Sequence, residues 1–398
     1  MPNLIVTILK AFIKGKLGIG KLNGLERFML AQFGLPDRIP TMLAATNIEP
    51  SMLDPKYNWK LTVESPEANI ALADLVCERF DCDMIMVPIW QGVMIVGACE
   101  MGTEFKISEE RVPYPVGYPI KSKEDIQKIK LPEEATGHLK MYFDTISEIQ
   151  RRHPELFLTL TLDGPWDLAM LLRGDDKLPL DMRIHKDYYE TDDPIRKEKI
   201  RKRGDPEIYP AIMELTTQAA IRMFDLAVKY GLSLLGASLT DQYAASPIMS
   251  RQDYVKYVLP YIERVWLHHK KKLTIVAPCT SPMEMRKILE TEPAGINHQI
   301  LWSNYIFPTT PEGITLPEYD HPAFELAKEY KKNFAYIVHG KFLRDATKQE
   351  IEALIKRVCT LATEMRTSLL IAISAVPPGT DLENINYLFK MVQEYGRY

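Results

Sequence analysis

The sequence predicts an α/β fold: a single (β/α)8 barrel of the TIM type, with an N-terminal helical extension and long strand-end insertions. Three observations carry this. From about residue 60 helical stretches alternate with short apolar runs, the pattern of parallel strands wrapped in helices. The chain offers about eight strand candidates, each followed by a helix or a long loop, and eight β/α units close a barrel. No G-x-G-x-x-G or P-loop fingerprint supports the runner-up, an open doubly wound sheet that binds nucleotides. A length of 398 residues would suggest two or three domains at ~150 residues each, but barrels with insertions reach this size as one unit.

The elements follow in order. Leu4, Ile5, Ile8, Leu9, Phe12 and Ile13 recur at helical spacing, so residues 1–35 read as a helical extension to a barrel at 36–398. Its apolar face is expected to pack on the body of the protein or on a second copy in a homodimer. Lys10 interrupts the apolar stretch, and no basic residue precedes it, which disfavours a signal peptide. The expected strands are the runs at 39–45, 83–89, 156–163, 232–240, 273–278, 294–298, 334–339 and 367–373. The expected helices are 67–80, 137–152, 208–230, 251–271, 322–333 and 347–366. Residues 84–99 are the most apolar internal stretch, but Pro88, Gln91 and Gly92 interrupt it and it falls short of the ~20 residues a spanning helix needs. Two stretches leave strand ends as insertions: 172–207, dense in both signs of charge, and 300–322, rich in aromatics and proline. Each is placed to act as a lid or a partner-docking surface, and the charged one also reads as a plain solvated excursion.

Composition narrows the function. With 49 Lys and Arg against 53 Asp and Glu, the net charge of −4 gives no basic surplus for nucleic acid. Hydrophobic side chains at 46% exclude a disordered chain. The five scattered cysteines form no CxxC pair, which fits a reducing cytoplasm and no disulfide framework. A soluble cytoplasmic enzyme is expected, with no membrane and no nucleic-acid partner.

In a barrel the chemistry sits at the carboxyl ends of the strands. Position alone therefore selects Asn47, Trp90, Asp163, Trp166, Asp241, Tyr243, Cys279, His298, His339 and Ser374. Asp163 precedes Gly164-Pro165 and reads either as a cleft carboxyl or as the N-cap of the following helix, with Asp167 a competing cap. Asp241 and Tyr243 follow another apolar run, where capping or loop hydrogen bonding is the plainer role. His298 and His339 end short runs, and each is either functional or a satisfied core histidine. Trp90 and Trp166 line a pocket or fill core. Cys279 is a small buried side chain before it is a nucleophile.

Several stretches together carry a family resemblance. GLERFMLAQFGLPDRIP (24–40), Met101-Gly102 through Glu109, YPIKSKEDIQKIKLPE (118–133) and LDGPWDLAMLLRG (162–174) come in order, followed by SPIMSRQDYVKYVLPYIERV (246–265), HGKFLRDATKQEIEALIKRV (339–358) and VPPGTDLENI (376–385). In these the sequence resembles the uroporphyrinogen decarboxylase superfamily. The resemblance implies a (β/α)8 barrel with a cleft at the strand ends. It also implies one of two activities, tetrapyrrole decarboxylation or methyl transfer involving corrinoid proteins. The decarboxylase's Arg-rich substrate-binding stretch has no counterpart, since MLAATNIEP (42–50) stands in its place. The thiol-using methyltransferases hold zinc with His-x-Cys and a later Cys. Here Ala277-Pro278-Cys279 keeps one cysteine and Ser374 replaces the other, so zinc is not expected unless His298 or His339 rebuilds the site.

The expectation is therefore a corrinoid-dependent methyltransferase, an O-demethylase component. It would move a methyl group from a small donor, an aryl methyl ether, to the cobalt of a corrinoid protein. Asp163, Asp241, Tyr243, His298 and His339 form the catalytic pool; Asn47, Trp90, Trp166, Cys279 and Ser374 line the substrate site. No cofactor or metal is held permanently, because the corrinoid (cob(I)alamin in, methylcobalamin out) arrives on a carrier protein, with 172–207 a docking candidate. Competing readings are methyl transfer from a corrinoid to a thiol at a rebuilt zinc site, decarboxylation, and a non-catalytic barrel that binds a corrinoid protein.

Overall fold

Seven of the eight expected apolar runs supply a barrel strand, and the eighth is displaced along the chain. In chain order the strands are β1 (Thr41–Leu43), β2 (Met84–Val87), β3 (Glu104–Lys106), β4 (Tyr114–Gly117), β5 (Phe157–Asp163), β6 (Ser238–Thr240), β7 (Thr274–Val276), β8 (His298–Ser303), β9 (Phe334–His339) and β10 (Leu369–Ser374). In this computed structural model all but β3 and β4 join a closed, parallel barrel in the order β1-β10-β9-β8-β7-β6-β5-β2. β3 and β4 pair antiparallel as a hairpin outside it. The structure describes residues 11–14, 22–31, 37–43, 48–87, 93–233, 237–241, 243–244, 248–270, 274–276, 286, 290, 298–303, 317–332, 334–365, 369–374 and 376–397. No described helix is long and apolar enough to cross a membrane. The four described cysteines, Cys77, Cys82, Cys99 and Cys359, are free thiols.

Two expectations are corrected. Of the run expected at 294–298 only His298 lies within the described residues, and the strand there, His298–Ser303, takes in Ile300–Ser303, residues expected in the second excursion. Ile300, Leu301, Trp302 and Ser303 take the pairing positions opposite Phe334, Ala335, Tyr336 and Ile337 of β9. The helix expected over 251–271 is likewise not continuous, for a π-helical turn occupies Tyr254–Val258 before the helix Leu259–His268. Pro260 has no N–H to offer the preceding turn, and the turn widens so that Leu259 N bonds to Tyr254 O. Tyr209 Oη then reaches in and donates to the Tyr257 carbonyl at 2.6 Å.

The barrel interior is layered. β5 reads FLTLTLD, and its side chains alternate between the two faces of the sheet. Phe157 clusters with Met84, Ala335 and Leu370 from three other strands, which places it inside. Thr159, Thr161 and Asp163 share its parity and face inward above it. Leu158, Leu160 and Leu162 face the surrounding helices in the main core. Among the described residues the last pair of the β2 ladder is Val87 and Leu160. One residue on, the Tyr142 hydroxyl accepts from Thr161 N at 3.0 Å and donates to Thr161 O at 2.9 Å.

The floor is closed by the helix Gly24–Ala31. Asn23 and Glu26 cap it reciprocally, Glu26 N donating to Asn23 Oδ1 (2.8 Å) and Asn23 N to Glu26 Oε2 (3.0 Å). Phe28 stacks on Phe157 with ring centroids 4.6 Å apart. The buried Arg27 pairs with Asp83, the residue before β2, and with Asp37 at 2.6 Å. Arg38 donates to Asp83 at 2.7 and 3.1 Å, and Thr41 N and Oγ1 add bonds of 2.9 and 3.1 Å. Gly24 is required here because a Cβ would meet the Asp83 carbonyl oxygen at 2.0 Å. A polar hollow beside this floor is lined by Arg27, Arg38, Arg397, Asp81, Glu155 and Gln393, at the end opposite to barrel chemistry.

The first excursion is helical. The helices Lys177–Tyr189 and Pro194–Arg201 follow the helix Pro165–Arg173, and Arg173 binds Asp181 at 2.7 Å and the Lys121 carbonyl at 2.6 Å. Lys186 pairs with Asp253 at 2.7 Å and Lys256 with Glu190 at 2.6 Å. These contacts pin the excursion to the segment that leaves the carboxyl end of β6.

Candidate active site

Register brings two carboxyls to the barrel mouth. Asp163, the last residue of β5, pairs with Thr240, the last residue of β6, and Asp241 follows at once. Gly164 N donates to Thr240 O at 2.6 Å, which brings Gly164 alongside Asp241. A Cβ on Gly164 would lie 2.3 Å from Asp241 Oδ2, so glycine is the residue that lets this carboxyl sit against the strand end. Its φ is −79°, so space and not backbone conformation demands the glycine.

The two aspartates have different surroundings. Asp241 Oδ1 accepts from Asp167 N at 2.9 Å, and the Trp166 N–H also faces this carboxylate. It thereby caps the Pro165–Arg173 helix from a neighbouring strand. Gly164 occupies the N-cap position itself, so neither Asp163 nor Asp167 has that role. Asp167 instead accepts from Tyr243 N at 3.2 Å. Asp163 makes no ion pair with a described residue, and burial alone raises its pKa to about 7. Asp241 is raised as well, by burial first and then by repulsion from Asp163, against the lowering pull of the two N–H groups. Asp163 Oδ2, Asp241 Oδ2 and Thr159 Oγ1 are buried without a hydrogen-bond partner among the described residues. Thr161 Oγ1 and Ser238 Oγ pair at 2.8 Å. The result is a polar wall above an apolar floor, topped by an inward-facing carboxyl that holds a proton near neutral pH. Such a group can donate a proton to an oxygen or receive one from it.

The other expected residues divide. His339 ends β9 as expected and lies beside Ser374, the last residue of β10. Its Nδ1 accepts from Lys341 N at 3.1 Å, so it caps the helix Gly340–Asp345 and the neutral ring carries its proton on Nε2. Burial, then the Lys341 charge, lowers its pKa and keeps it neutral at pH 7. His298 is corrected: it opens β8 and does not close it, which puts it at the amino end of the barrel, ~16 Å of strand below the mouth. Trp166 is fully buried against Tyr209 (ring centroids 6.3 Å) and fills core instead of lining an open pocket. Tyr243 is 42% exposed at the mouth. Asn47, Trp90 and Cys279 lie outside the described residues. The inward threonines and Ser238 went unremarked in the sequence, although FLTLTLD signals them through polar residues at every second position.

A family model described as uroporphyrinogen decarboxylase matches residues 27–395. The chain belongs to the uroporphyrinogen decarboxylase family. No curated protein matches its sequence. Among solved structures, a methyltransferase from Methanosarcina mazei is similar at a TM-score of 0.71 with 17% identity, covering 94% of this chain and 99% of its own. An endo-beta-1,4-mannanase from Thermotoga petrophila reaches a TM-score of 0.42 with 9% identity, covering 90% of this chain and 77% of its own. Membership gives the motifs a physical meaning in this uroporphyrinogen decarboxylase relative. The Glu-Arg and Asp-Arg stretches of 24–40 build the ion-paired floor, whereas Asp-Gly-Pro at 163–165 builds the mouth.

Proposed function

We propose that this family member is a methyltransferase that demethylates a small methyl ether, an aryl methyl ether by preference, and passes the methyl group to the cobalt of a corrinoid carrier protein. The observation that carries the reading is Asp163: an inward-facing carboxyl, protonated near neutrality, with an unpartnered oxygen at the mouth of the barrel. The substrate's ether oxygen would rest against Asp163, with Thr159, Thr161 and Ser238 lining the wall below. As the methyl carbon moves to the cob(I)alamin nucleophile, its bond to oxygen breaks and Asp163 delivers its proton to the leaving oxygen. A phenol departs, and the Asp163 carboxylate regains a proton from water. General-acid help of this kind supplies roughly 10²–10⁴-fold. Asp241 holds the start of the Pro165–Arg173 helix in place, and the neutral His339 ring is a hydrogen-bond donor for orienting the substrate.

The likeness in fold to a methyltransferase supports this reading over decarboxylation. So do Arg27 and Arg38, which are committed to Asp37 and Asp83 at the floor and do not serve tetrapyrrole carboxylates at the mouth. The zinc-thiol alternative loses support from the donor set. Ala277 and Ser374 stand where two ligands would be, and His298 begins its strand at the far end. No step is routed through zinc.

Anaerobic incubation with a reduced corrinoid carrier and methoxyaromatic compounds should produce methylcobalamin, followed by absorbance. Asp163→Asn should lower the rate roughly 10²–10⁴-fold with the fold intact by circular dichroism. Wild-type turnover should fall as pH rises through about 7, where Asp163 loses its proton. A wild-type protein inert toward every methoxy donor would overturn the proposal.

A further inference from the structure

Away from the mouth, three ligand-type side chains converge on the outer helical layer. Asp225 lies near the end of the helix Ile208–Lys229, which runs back from the mouth to the start of β6. His268 closes the helix Leu259–His268, which runs back to the start of β7, and His269 follows it. All three therefore sit towards the amino-terminal rim, at the opposite end of the barrel from Asp163. His268 Nε2 lies 3.2 Å from both carboxylate oxygens of Asp225, and His269 Nδ1 lies 3.9 Å from Oδ1. One donor atom from each residue falls within 4.8 Å of the other two.

We propose that Asp225, His268 and His269 form a binding site for a zinc-class divalent transition metal, which clips these two helices together. The spacing fits the ion. Bonds of 2.0–2.1 Å in a tetrahedron separate neighbouring ligand atoms by about 3.3 Å, and a small approach of His269 completes the face. Two imidazoles and one carboxylate select zinc, nickel or copper over magnesium or calcium. A plain surface ion pair would account for His268 and Asp225 alone. His269, 6% exposed, turns Nδ1 towards the same carboxylate and brings a third donor to it. Having left the helix (φ −84°, ψ 20°), His269 sets its ring nearly perpendicular to that of His268, with centroids 4.9 Å apart. Phe224 holds it edge-on at 5.5 Å, so this ligand is pre-oriented. Asp225 and His268 are half exposed, leaving the fourth position to water. The same two helices are joined elsewhere by Arg264 and Glu214 at 2.5 and 2.8 Å, so the metal would add a second tie to an existing interface.

The test uses the full-length, tag-free protein, dialysed against chelator and then titrated with ZnCl2. Wild type should take up one equivalent more than the Asp225→Ala/His268→Ala double variant. Its Tm should rise with zinc while the variant's does not. Both replaced side chains are exposed, so the variant should keep the wild-type circular dichroism spectrum. Equal zinc uptake by the two proteins, or none by wild type, would sink the proposal, whatever the outcome for methyl transfer.

Discussion

Asp163 is buried with nothing to balance its charge, and the protein answers by keeping it protonated. That has a consequence for stability separate from activity. An aspartate in the unfolded chain titrates near its ordinary value of about 3.9, whereas in the fold it holds its proton up to about 7. Between those limits the folded state binds more protons, so this residue's contribution is greatest below about pH 4 and is lost as pH rises through about 7. Asn cannot titrate. The Tm of Asp163→Asn relative to wild type should therefore climb steadily from pH 5 to pH 8, measured by thermal unfolding at each pH. A difference that stays flat across that range would mean that Asp163 is ionised in the fold. Gly164 belongs to the same arrangement, since any side chain there pushes on Asp241 and frees the helix start that Asp241 caps.

At the scale of elements, the Gly24–Ala31 helix is a plug whose charges are aimed into the barrel floor. Asp83 is 4% exposed and receives Arg27, Arg38 and Thr41 together. Removing one partner of a buried, hydrogen-bonded ion pair strands the others and costs about 3–5 kcal/mol. Asp83→Ala should lower the free energy of unfolding by that amount in urea titration. A loss under ~1 kcal/mol would show that Asp37 alone suffices for the two arginines. β5 illustrates a related dependence, because a tyrosine from a helix bonds both backbone groups of Thr161.

Across the whole molecule, charge is unevenly spread. The chain carries −4 overall, yet the Pro194–Arg201 helix and the two residues after it hold Arg196, Lys197, Lys199, Arg201, Lys202 and Arg203 against Glu198. Ile195 on the same helix is 66% exposed. The excursion is tied to the strand-end segment after β6, and we propose it as the surface on which the carrier would land. Arg196→Glu/Lys199→Glu should raise KM for the carrier several-fold at low salt and leave turnover with free cob(I)alamin unchanged. Equal KM values for variant and wild type across a salt series would remove this helix from the docking surface.

The sequence by itself determined the barrel. Eight apolar runs separated by helical stretches leave few other ways to bury a parallel sheet; six of the expected runs contain the observed strand whole, 334–339 without any shift, and 367–373 contains all but its last residue. It also placed Asp163, Asp241 and His339 at the mouth, since a strand's last residue is legible from where its apolar run stops. It misplaced His298, because ILWS reads as the start of a loop in isolation and only pairing with β9 makes it strand. Nor did it divide the roles of the two aspartates. Both follow apolar strands, but one meets backbone N–H groups from a helix and the other meets only low-dielectric surroundings. The difference is made by groups from another strand and helix brought within 3 Å. Charge, proton affinity and hydrogen bonding depend on such neighbours, and the tertiary structure alone decided them.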